Sequence, residues 1–561
     1  MEVTRRDFLR LAAIAGLSAG TTREAPADTL APKRLLAFDP LGNVTLLHTT
    51  DTHASLLPVY YREPDTVLGM GDERGHPPYL TGEALLRAYG FQPGTLEAYL
   101  FTHLGFSELS GRYGVLGGYA HLATLVKRVR AERPGKTLLL DGGDSLQGSA
   151  TSLWSRGEDM VLAGNQLGVD VCTGHWEFTY GTDRVKEFFG DQEQRGRFAG
   201  DFVAHNVKDA TWGDRVFSPY TIREAGGVKV GIIGQAFPYV SVSHPRRLIP
   251  TLSFGIDEGR VGALVRELRE VHRVDLVVLL SHNGLAVDHK LAGRVGGIDV
   301  ILGGHTHDAL PQPVLVGKTL VIHSGSHGKF LSRLDVDIRD GQIAAYRYKL
   351  IPVLSRAIPE DQDMAALIRR IRGPYEQKLS EVLSVSESLL YRRGTFNGTF
   401  DEVILDALLQ RADAQVALSP GFRWGVTIVP GQRITLEDVF AHTAITYPNT
   451  WVREMTGAEI NAILEDVADN LFHRDPYYRQ GGDMVRVGGL TYAISVQREM
   501  GRRISHIQIR GRAMDPGKKY KVTGWASIGE ADGPPAYDVV ADYLRSTKRV
   551  KIDSRSRVRI L

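Results

Sequence analysis

Short apolar runs rich in β-branched residues recur through the first half of the chain, between about residues 44 and 338, and each ends in a turn rich in Gly, His or Asp. Runs of this length and composition are typical of strands that are buried on both faces. Helical patterns lie between several of them, for example over residues 118–130 and 259–272. The alternation predicts an α/β layered domain. The clearest strand-like runs are residues 44–47, 137–140, 228–233, 275–280 and 299–302.

Three further segments interrupt or follow this alternation. Residues 58–117 are rich in Pro, Gly and Tyr and show little periodicity, so we predict an insertion that caps the site. Residues 356–390 have a helical, charged pattern that suits a connector. Residues 391–561 mix helical and strand patterns and form a predicted second domain, which is expected because 561 residues exceed a single hydrophobic core.

The N-terminal residues 1–27 resemble an export signal rather than part of the fold. The pair Arg5-Arg6 precedes a mildly apolar stretch, residues 11–19, and Ala25-Pro26-Ala27 offers a cleavage site. This order is typical of a twin-arginine signal, which exports folded proteins, and it predicts a periplasmic location. A basic amphipathic surface helix is the alternative. Because no other run approaches the roughly 18 apolar residues of a membrane span, we expect no membrane-embedded segment.

The composition narrows the possible chemistry. Lys and Arg total 67 against 65 Asp and Glu, so the net charge of +2 provides no field that would attract nucleic acid or an anionic membrane. Cys172 is the only cysteine, which excludes an internal disulfide and a Cys-rich metal site. Histidine, with 18 copies, is the more plentiful type of metal ligand.

Histidines and aspartates directly follow five of the predicted strands. Ligands of open α/β sheets bind beyond the carboxyl ends of the strands, because loops from separate strands meet there. In the pairs Asp51-x-His53 and His305-x-His307, alternate side chains of an extended loop point to the same side and can bind one ion. Seven ligands are too many for one tetrahedral ion but suit two adjacent ions that share a carboxylate, for which Asp144 is the natural candidate. The predicted metal ligands are Asp51, His53, Asp144, His175, His282, His305 and His307.

The types of ligand narrow the choice of metal, and the number of motifs supports a metal site over a set of unrelated turns. Imidazole and carboxylate ligands without thiolate fit manganese, zinc or iron. Each motif by itself is more often a turn or a satisfied polar residue than a ligand set. Their joint occurrence, all at strand ends, favours a site for two metal ions.

The five strand ends carry the motifs Asp51-Thr52-His53, Gly143-Asp144-Ser145-Leu146-Gln147-Gly148-Ser149, Gly174-His175-Trp176-Glu177-Phe178, His282-Asn283 and Gly303-Gly304-His305-Thr306-His307. In this order they resemble the calcineurin-like metallophosphoesterases, and specifically the 5′-nucleotidase family. Residues 419–423 lie where that family has a substrate-binding Gly-Arg segment, and residues 447–457 match its Pro-Asn to Leu-Thr-Gly stretch. The resemblance implies a dimetal hydrolase with a four-layer α/β/β/α catalytic domain over residues 28–355 and a smaller α+β recognition domain over residues 391–561.

The third motif departs from the pattern of that family. The family usually has Gly-Asn-His-Glu there, in which Asn binds metal and His acts as general acid or stabilises the transition state. Here the corresponding residues are His175 and Trp176. His175 can still bind a metal, but Trp176 cannot transfer a proton at neutral pH. A phosphomonoesterase would suffer from this loss, since general acid help is worth about a hundredfold or more, whereas a reaction with an acidic leaving group would not.

This departure, together with residues 391–399 and 480–487, looks like the SoxB branch of the family. That branch comprises the sulfate-releasing thiohydrolases of the periplasmic Sox thiosulfate-oxidation system. By resemblance, the substrate is a sulfonate joined through sulfur to a cysteine on the C-terminal arm of the carrier SoxYZ, and the cofactors are two manganese ions. A hydroxide bridging the two metals would attack the terminal sulfur and release a sulfur anion. We expect a monomer that has no nucleic-acid partner.

Further residues are candidates for substrate contact or catalysis. Arg423 is predicted to bind the sulfonate, because its planar fork matches two oxygens; a solvated or helix-capping arginine is the alternative. His205 follows a strand-like run and is predicted to polarise the substrate, with a structural histidine as the alternative. Trp176, Trp424 and Tyr447 are predicted to contact the substrate or line its entry, although aromatic residues more often belong to a core.

Two other functions stay open at the level of sequence. A 5′-nucleotidase or related nucleotide phosphoesterase would share the metals and the two-domain plan, but it predicts a pair of aromatic residues that stack a purine and a proton donor at the third motif. A non-catalytic, metal-dependent binding module for a periplasmic partner would explain the ligands, but not a bridging carboxylate with open coordination positions.

Overall fold

The structure of the protein is a computed structural model that describes residues 35–191, 194–553 and 556–561. The export signal predicted for residues 1–27 lies outside the described residues. In the described part of the chain, no helix is long and apolar enough to cross a bilayer.

The first sheet combines four parallel strands with an antiparallel hairpin at one edge. Every residue of its strand Val44–Thr49 is buried, as expected of a strand with layers on both faces. In spatial order, the strands are Gln342–Pro352, Phe330–Arg339, Val44–Thr49, Thr137–Asp141, Val171–Cys172 and Asp201–Phe202.

The second sheet has four parallel strands and one antiparallel strand at each edge. Its central strand Leu276–Ser281 is also buried throughout. In spatial order, the strands are Val314–Val316, Thr319–His323, Val300–Gly303, Leu276–Ser281, Val228–Gln235 and Tyr220–Ala225.

The two sheets pack face to face, and alternate side chains of each strand belong to different layers. Leu46 of the first sheet and Val278 of the second share the core between the sheets. Leu279 points the other way and packs with Leu264 from a helix on the outer face. The helix Tyr119–Glu132 packs against the first sheet. The predicted four-layer α/β/β/α arrangement is therefore confirmed.

Several helices begin at a residue whose side chain accepts a hydrogen bond from the backbone three residues on, as Asp257 does from Arg260 and Thr456 from Glu459. The helical pattern predicted over residues 259–272 is a helix, Glu258–Arg266, that continues into a π-helical turn, Glu267–Val271. In residues 35–191, 194–553 and 556–561, the α-helices are Gly82–Tyr89, Leu96–Phe101, Phe106–Tyr113, Tyr119–Glu132, Ala150–Ser155, Glu158–Leu167, Thr182–Phe189, Val240–Ser243, Glu258–Arg266, Leu285–Arg294, Gln362–Arg372, Glu376–Leu379, Thr399–Ala412, Leu436–Thr443, Gly457–Phe472 and Ala536–Ser546.

The second half mixes helices with small sheets, which confirms its predicted α+β class. The strand Val382–Ser386 lies at the end of the segment predicted as a connector and pairs within one of these sheets. The sheets consist, in spatial order, of Arg433–Thr435, Val382–Ser386 and Arg549–Val550; of Thr450–Thr456, Lys519–Trp525, Val416–Ser419 and Arg486–Gly488; and of Arg512–Ala513, Ile504–Ile509, Leu490–Ile494 and Val558–Ile560.

The segment of residues 58–117 is hydrogen-bonded to the second half. The backbone N–H of Thr427 donates to the carbonyl oxygen of Tyr60 at 2.7 Å. The backbone N–H of Arg62 donates to the Thr427 hydroxyl at 2.9 Å. The backbone N–H of Thr395 donates to the carbonyl oxygen of Thr66 at 3.1 Å. The segment is therefore tied by hydrogen bonds from backbone N–H groups to residues 395 and 427 of the second half.

Candidate metal centre

Loops at the carboxyl ends of parallel strands in both sheets carry all seven predicted metal ligands. The strand Val300–Gly303, for example, leads directly to His305 and His307. All seven side chains are buried, and the most exposed of them, His305, is only 8% exposed. The structure therefore brings residues from five separate loops into one buried cluster.

Five of the seven residues have a left-handed backbone conformation, although none is glycine, the residue that adopts it without strain. Such strain costs on the order of 1 kcal/mol or more per residue and persists where the surrounding fold imposes it. Backbone hydrogen bonds between the loops do so here, as from Asp51 N to Gly143 O at 2.8 Å. The φ angles are 51° at Asp51, 47° at His53, 59° at Asp144, 76° at His305 and 59° at His307.

The seven side chains form two groups that share Asp144. Within each group, the potential ligand atoms lie within 4.8 Å of one another. A carboxylate common to both groups is what a bridge between two adjacent ions requires. The groups are Asp144, His175, His282 and His305, and Asp51, His53, Asp144 and His307.

Histidine nitrogens approach one another closely within each group. His53 Nε2 lies 2.9 Å from His307 Nε2, and His175 Nδ1 lies 3.2 Å from His282 Nε2. Two nitrogen ligands of one ion, each about 2.1 Å from it, lie about 3.0 Å apart at a bond angle of 90° and about 3.4 Å apart at the tetrahedral angle. The rings are therefore spaced as ligands of a common ion are.

The surroundings of His282 favour positive charge in the cluster. Its Nδ1 donates to the carbonyl oxygen of Gly142 at 2.6 Å, so in the neutral ring Nε2 presents a lone pair to Asp144 Oδ2 at 3.0 Å. Burial lowers the pKa of His282, but the carboxylates of Asp144 and Asp51 outweigh burial and raise the pKa to about 10. Because the cluster attracts positive charge and offers imidazole and carboxylate ligands, its residues fit two divalent ions.

Glu177 holds two of the ligand loops together. Its buried carboxylate accepts hydrogen bonds from the backbone N–H groups of His175 at 2.6 Å, Ser145 at 2.7 Å and Asp144 at 3.3 Å. Burial is the main cause that raises the pKa of this carboxyl. Glu177 therefore fixes the positions of Asp144 and His175 without being among the candidate ligands.

A cavity beside the ligands has aromatic walls from both halves of the chain. The backbone N–H of Trp176 donates to Asp144 Oδ1 at 2.8 Å, and its ring meets Trp424 edge-on with the centroids 5.2 Å apart. Trp424 stacks on Phe422, with centroids 4.0 Å apart and an angle of 17° between the rings. Arg423 faces the same cavity. Trp176, Trp424 and Arg423 therefore line the cavity beside the candidate ligands.

Two other predicted site residues do not reach this cavity. Tyr447 belongs to the hydrophobic core of the second half and is only 4% exposed. His205 is buried against Gln235, whose side-chain oxygen lies next to its Nε2, and burial lowers the pKa of His205 to about 4. Because neighbouring side chains enclose both residues, the structure does not support a substrate contact for either.

Two features of the site are not predicted from the sequence. The ring of His244 stacks on Trp176 with the centroids 4.5 Å apart, and its buried Nε2 has no hydrogen-bond partner among the described residues. The Nε2 of His305 lies 2.8 Å from the backbone carbonyl oxygen of Gln480. Neither feature leaves a local signal, since a lone histidine is common and a backbone carbonyl is independent of residue type.

The sequence of the second half matches a known family of domains. Residues 385–539 match the model of the 5′-nucleotidase C-terminal domain. The protein UshA of Yersinia enterocolitica is 23% identical over 503 residues, which cover 78% of this chain and 85% of UshA. The similarity to UshA therefore extends over both halves.

Two solved structures resemble the whole fold. The sulfate thiohydrolase SoxB of Thermus thermophilus is 39% identical, with a TM-score of 0.89, and the match covers 94% of this chain and 98% of that one. A 5′-nucleotidase precursor of Thermus thermophilus is 24% identical, with a TM-score of 0.72 over 92% of this chain and 99% of that one. The latter similarity shows the fold alone.

Proposed function

The chain belongs to the 5′-nucleotidase family of hydrolases with the metallophosphoesterase fold, and we propose that within it the chain releases sulfate from a cysteine S-thiosulfonate on a SoxYZ carrier. The similarity to a SoxB structure supports this branch of the family. The observation that carries the proposal is the position of Trp176, whose backbone N–H donates to Asp144 Oδ1 and whose side chain takes the place of the proton donor of a phosphomonoesterase of this family.

Hydrolysis of a thiosulfonate requires neither a redox partner nor a general acid. The oxygen of water bonds to the sulfonate sulfur, and the bond between that sulfur and the inner sulfur breaks. The electron pair of this bond stays on the inner sulfur as a persulfide anion, and the two protons of water pass to the solvent as sulfate is released. Because that anion is a far weaker base than an alkoxide, a tryptophan in place of the proton donor costs little. When bound, two divalent ions supply an activated water at neutral pH and stabilise charge on the reacting oxygens.

We propose that the two groups that share Asp144 bind these ions, with manganese favoured and zinc or iron as alternatives. Arg423 binds the sulfonate, since its planar fork matches two oxygens. The carbonyl oxygen of His305, 3.3 Å away, and the carboxylate of Asp483, 3.4 Å away, hold its guanidinium in place. Trp176 and Trp424 exclude water around the reacting sulfur.

The aromatic wall does not suit a nucleotide substrate. A base sandwiched between two rings needs about 7 Å between them, twice the contact distance of carbon atoms. Phe422 and Trp424 instead stack on each other with centroids 4.0 Å apart, so no base fits between this pair.

We further propose that the protein is exported folded by the twin-arginine route and acts in the periplasm as a monomer. The pair Arg5-Arg6, the apolar stretch and the cleavage site of residues 1–27 support this route. The SoxYZ carrier and this protein would then be in the same compartment.

One assay tests the function. Purified, manganese-loaded protein is incubated with a thiosulfonate-charged cysteine carrier and, separately, with AMP, and sulfate and phosphate are measured. We expect sulfate from the carrier, and its loss in a metal-depleted sample and in Asp144→Asn. Phosphate without sulfate would contradict the proposal and favour a nucleotidase. Turnover of neither substrate with manganese present would favour a non-catalytic binding module.

A further inference from the structure

Two buried arginines, Arg392 and Arg486, form ion pairs with the buried carboxylates next to them. Arg392 pairs with Asp401 at 2.7 Å, and Arg486 pairs with Asp401 at 3.3 Å and with Asp483 at 2.8 Å. The side chains of both arginines are at most 1% exposed. These two cations and two carboxylates neutralise one another.

Two further arginines lie next to this group, so the cluster has more positive than negative groups. Arg423 and Arg393 approach Asp483 at 3.4 Å and 3.9 Å, although that carboxylate is already bound by Arg486. Asp308 lines the same cavity as both arginines. Glu63 lines a cavity together with Arg393 and Asp308, but it is bound by Lys329 at 2.6 Å. When Asp308, Glu63 and Lys329 are all counted, five cations face four carboxylates. An uncompensated buried cation is unfavourable, so this place attracts an anion.

Arg393 has unused hydrogen-bonding capacity. Its side chain is 8% exposed, and its Nε has no hydrogen-bond partner among the described residues. One terminal nitrogen donates to the carbonyl oxygen of Thr306 at 3.2 Å. Arg393 lines a second cavity. This second cavity adjoins the cavity of the metal centre, because Arg423, Gly481 and Gly482 line both.

The second cavity combines sites for an anion with apolar walls. The start of the helix Leu285–Arg294 and the hydroxyl residue Thr395 line it near Arg393. Helix N-termini favour anions, because their backbone N–H groups are free to donate. Val67 and Phe472 supply apolar surface. A ligand that suits this cavity carries an oxyanion on a partly apolar chain.

We propose that Arg393 forms a second anion subsite, which binds the terminal carboxylate of the peptide whose sulfonate lies beside Arg423. A guanidinium fork binds a carboxylate with two parallel hydrogen bonds. The inference rests on the proposed function, in which the substrate cysteine lies near the C-terminus of its chain. Recognition of both groups selects a cysteine at a set distance from a chain end and rejects the same modification within a chain.

The test compares two short peptides that carry an unmodified cysteine near the C-terminus and end either in a carboxylate or in a carboxamide. Each is titrated into manganese-loaded protein by calorimetry. We expect the carboxylate peptide to bind about tenfold or more tightly, the size of one charge-assisted contact. Equal affinity of the wild-type protein for both peptides would overturn the inference, whatever the variants do.

Variants of Arg393 test whether this residue causes the preference for the carboxylate peptide. Arg393→Gln is expected to bind both peptides equally, and Arg393→Lys to keep part of the preference, since lysine retains the charge but not the fork. Arg411→Gln removes an exposed arginine from the helix Thr399–Ala412 and is the matched control, which should keep the full preference. A preference that survives in Arg393→Gln would overturn the inference.

Two further measurements distinguish a peptide carboxylate from a free oxyanion as the ligand, and failure of the subsite from failure of the proposed function. Tight binding of inorganic sulfate that depends on Arg393, without a preference for the carboxylate peptide, would assign the subsite to a free oxyanion and overturn the peptide assignment. The titrations require no turnover. If sulfate release fails while the preference for the carboxylate peptide persists, the proposed function is wrong and the subsite stands. If both peptides, with a thiosulfonate on the cysteine, are hydrolysed with equal KM, the subsite is wrong and the function stands.

Discussion

The outer ring nitrogen of His305 lies 2.8 Å from the backbone carbonyl oxygen of Gln480. Because a carbonyl oxygen only accepts, this nitrogen carries the proton and leaves Nδ1 free to bind a metal. His305 belongs to the first half of the chain and Gln480 to the second. A loop of the second half thus orients a candidate ligand that the sheets of the first half supply.

Two adjacent glycines of this loop allow a direct test. Both have left-handed backbones, but an added Cβ would lie 2.6 Å from His305 Nε2 at Gly481 and 3.7 Å from its nearest neighbour at Gly482. Gly481→Ala is expected to weaken manganese binding about tenfold to a hundredfold, as loss of an outer partner of a metal-binding histidine does. The measurement is competition with a chelator.

Gly482→Ala is the control, since it introduces similar backbone strain without touching the histidine. It should bind manganese as the wild-type protein does. Equal weakening in both variants would show that backbone strain, and not the contact with His305, is responsible.

Replacement of the shared carboxylate should affect both ions. Asp144→Asn is expected to reduce bound manganese from about two ions per chain to nearly none, because both groups lose a charged ligand. His307→Ala should retain about one ion, since His307 belongs to one group only. Elemental analysis after gel filtration measures the metal content. Two ions retained in Asp144→Asn would contradict a bridging role.

Trp176→His should restore a proton donor beside Asp144. Hydrolysis of an alkyl phosphate ester is expected to rise about tenfold or more, and release of sulfate to change little, because only the alkoxide leaving group needs the proton. Trp424→His makes the same exchange elsewhere in the cavity and should not raise phosphate release. A similar rise in both variants would point to the lost indole and not to the proton donor.

Asp141 should make stability depend on pH. Burial raises the pKa of this carboxyl from 3.8 to about 7, so its contribution to stability is complete below pH 3.8 and is lost progressively as the pH rises from 3.8 to 7. The Tm of the wild-type protein relative to Asp141→Asn should therefore fall between about pH 4 and pH 7 and level off above pH 7. Thermal unfolding with chelator present measures this difference.

The amide of that variant can keep the contacts of Asp141 with Gly143 N, 3.0 Å away, and Ser145 Oγ, 2.7 Å away. Asp340→Asn, at an exposed turn, is the control and should show no such trend. A Tm difference between wild type and Asp141→Asn that is constant with pH would be inconsistent with the assignment.

The sequence predicts the fold and the cluster of seven residues because their signals are local. His305 and His307, for example, directly follow a buried strand, and the ends of parallel strands meet at one edge of a sheet. The alternation of strand and helix likewise predicts the layers. Each of these inferences needs only a short stretch of chain.

Contacts between distant residues could not be predicted in this way. Gln480 contacts His305 through a carbonyl group, which is the same in every residue. Tyr447 and Trp424 are both buried aromatic residues in the core of the second half, and only the packing decides that Trp424 also lines the cavity and Tyr447 does not. His205 follows a strand as His175 does, yet its strand end is closed by Gln235.

Three hydrogen bonds from backbone N–H groups join residues 60, 62 and 66 to Thr427 and Thr395 of the second half. These bonds restrict the relative motion of the two halves while substrate enters and product leaves. A hinge motion that separated the two halves would have to break all of these bonds together. Turnover is then expected to proceed without large hinge opening, so a substrate has to reach the ligands through the cavity that Trp176, Phe422 and Trp424 line. A macromolecular substrate would then have to present its reactive group on a segment that protrudes from its own fold.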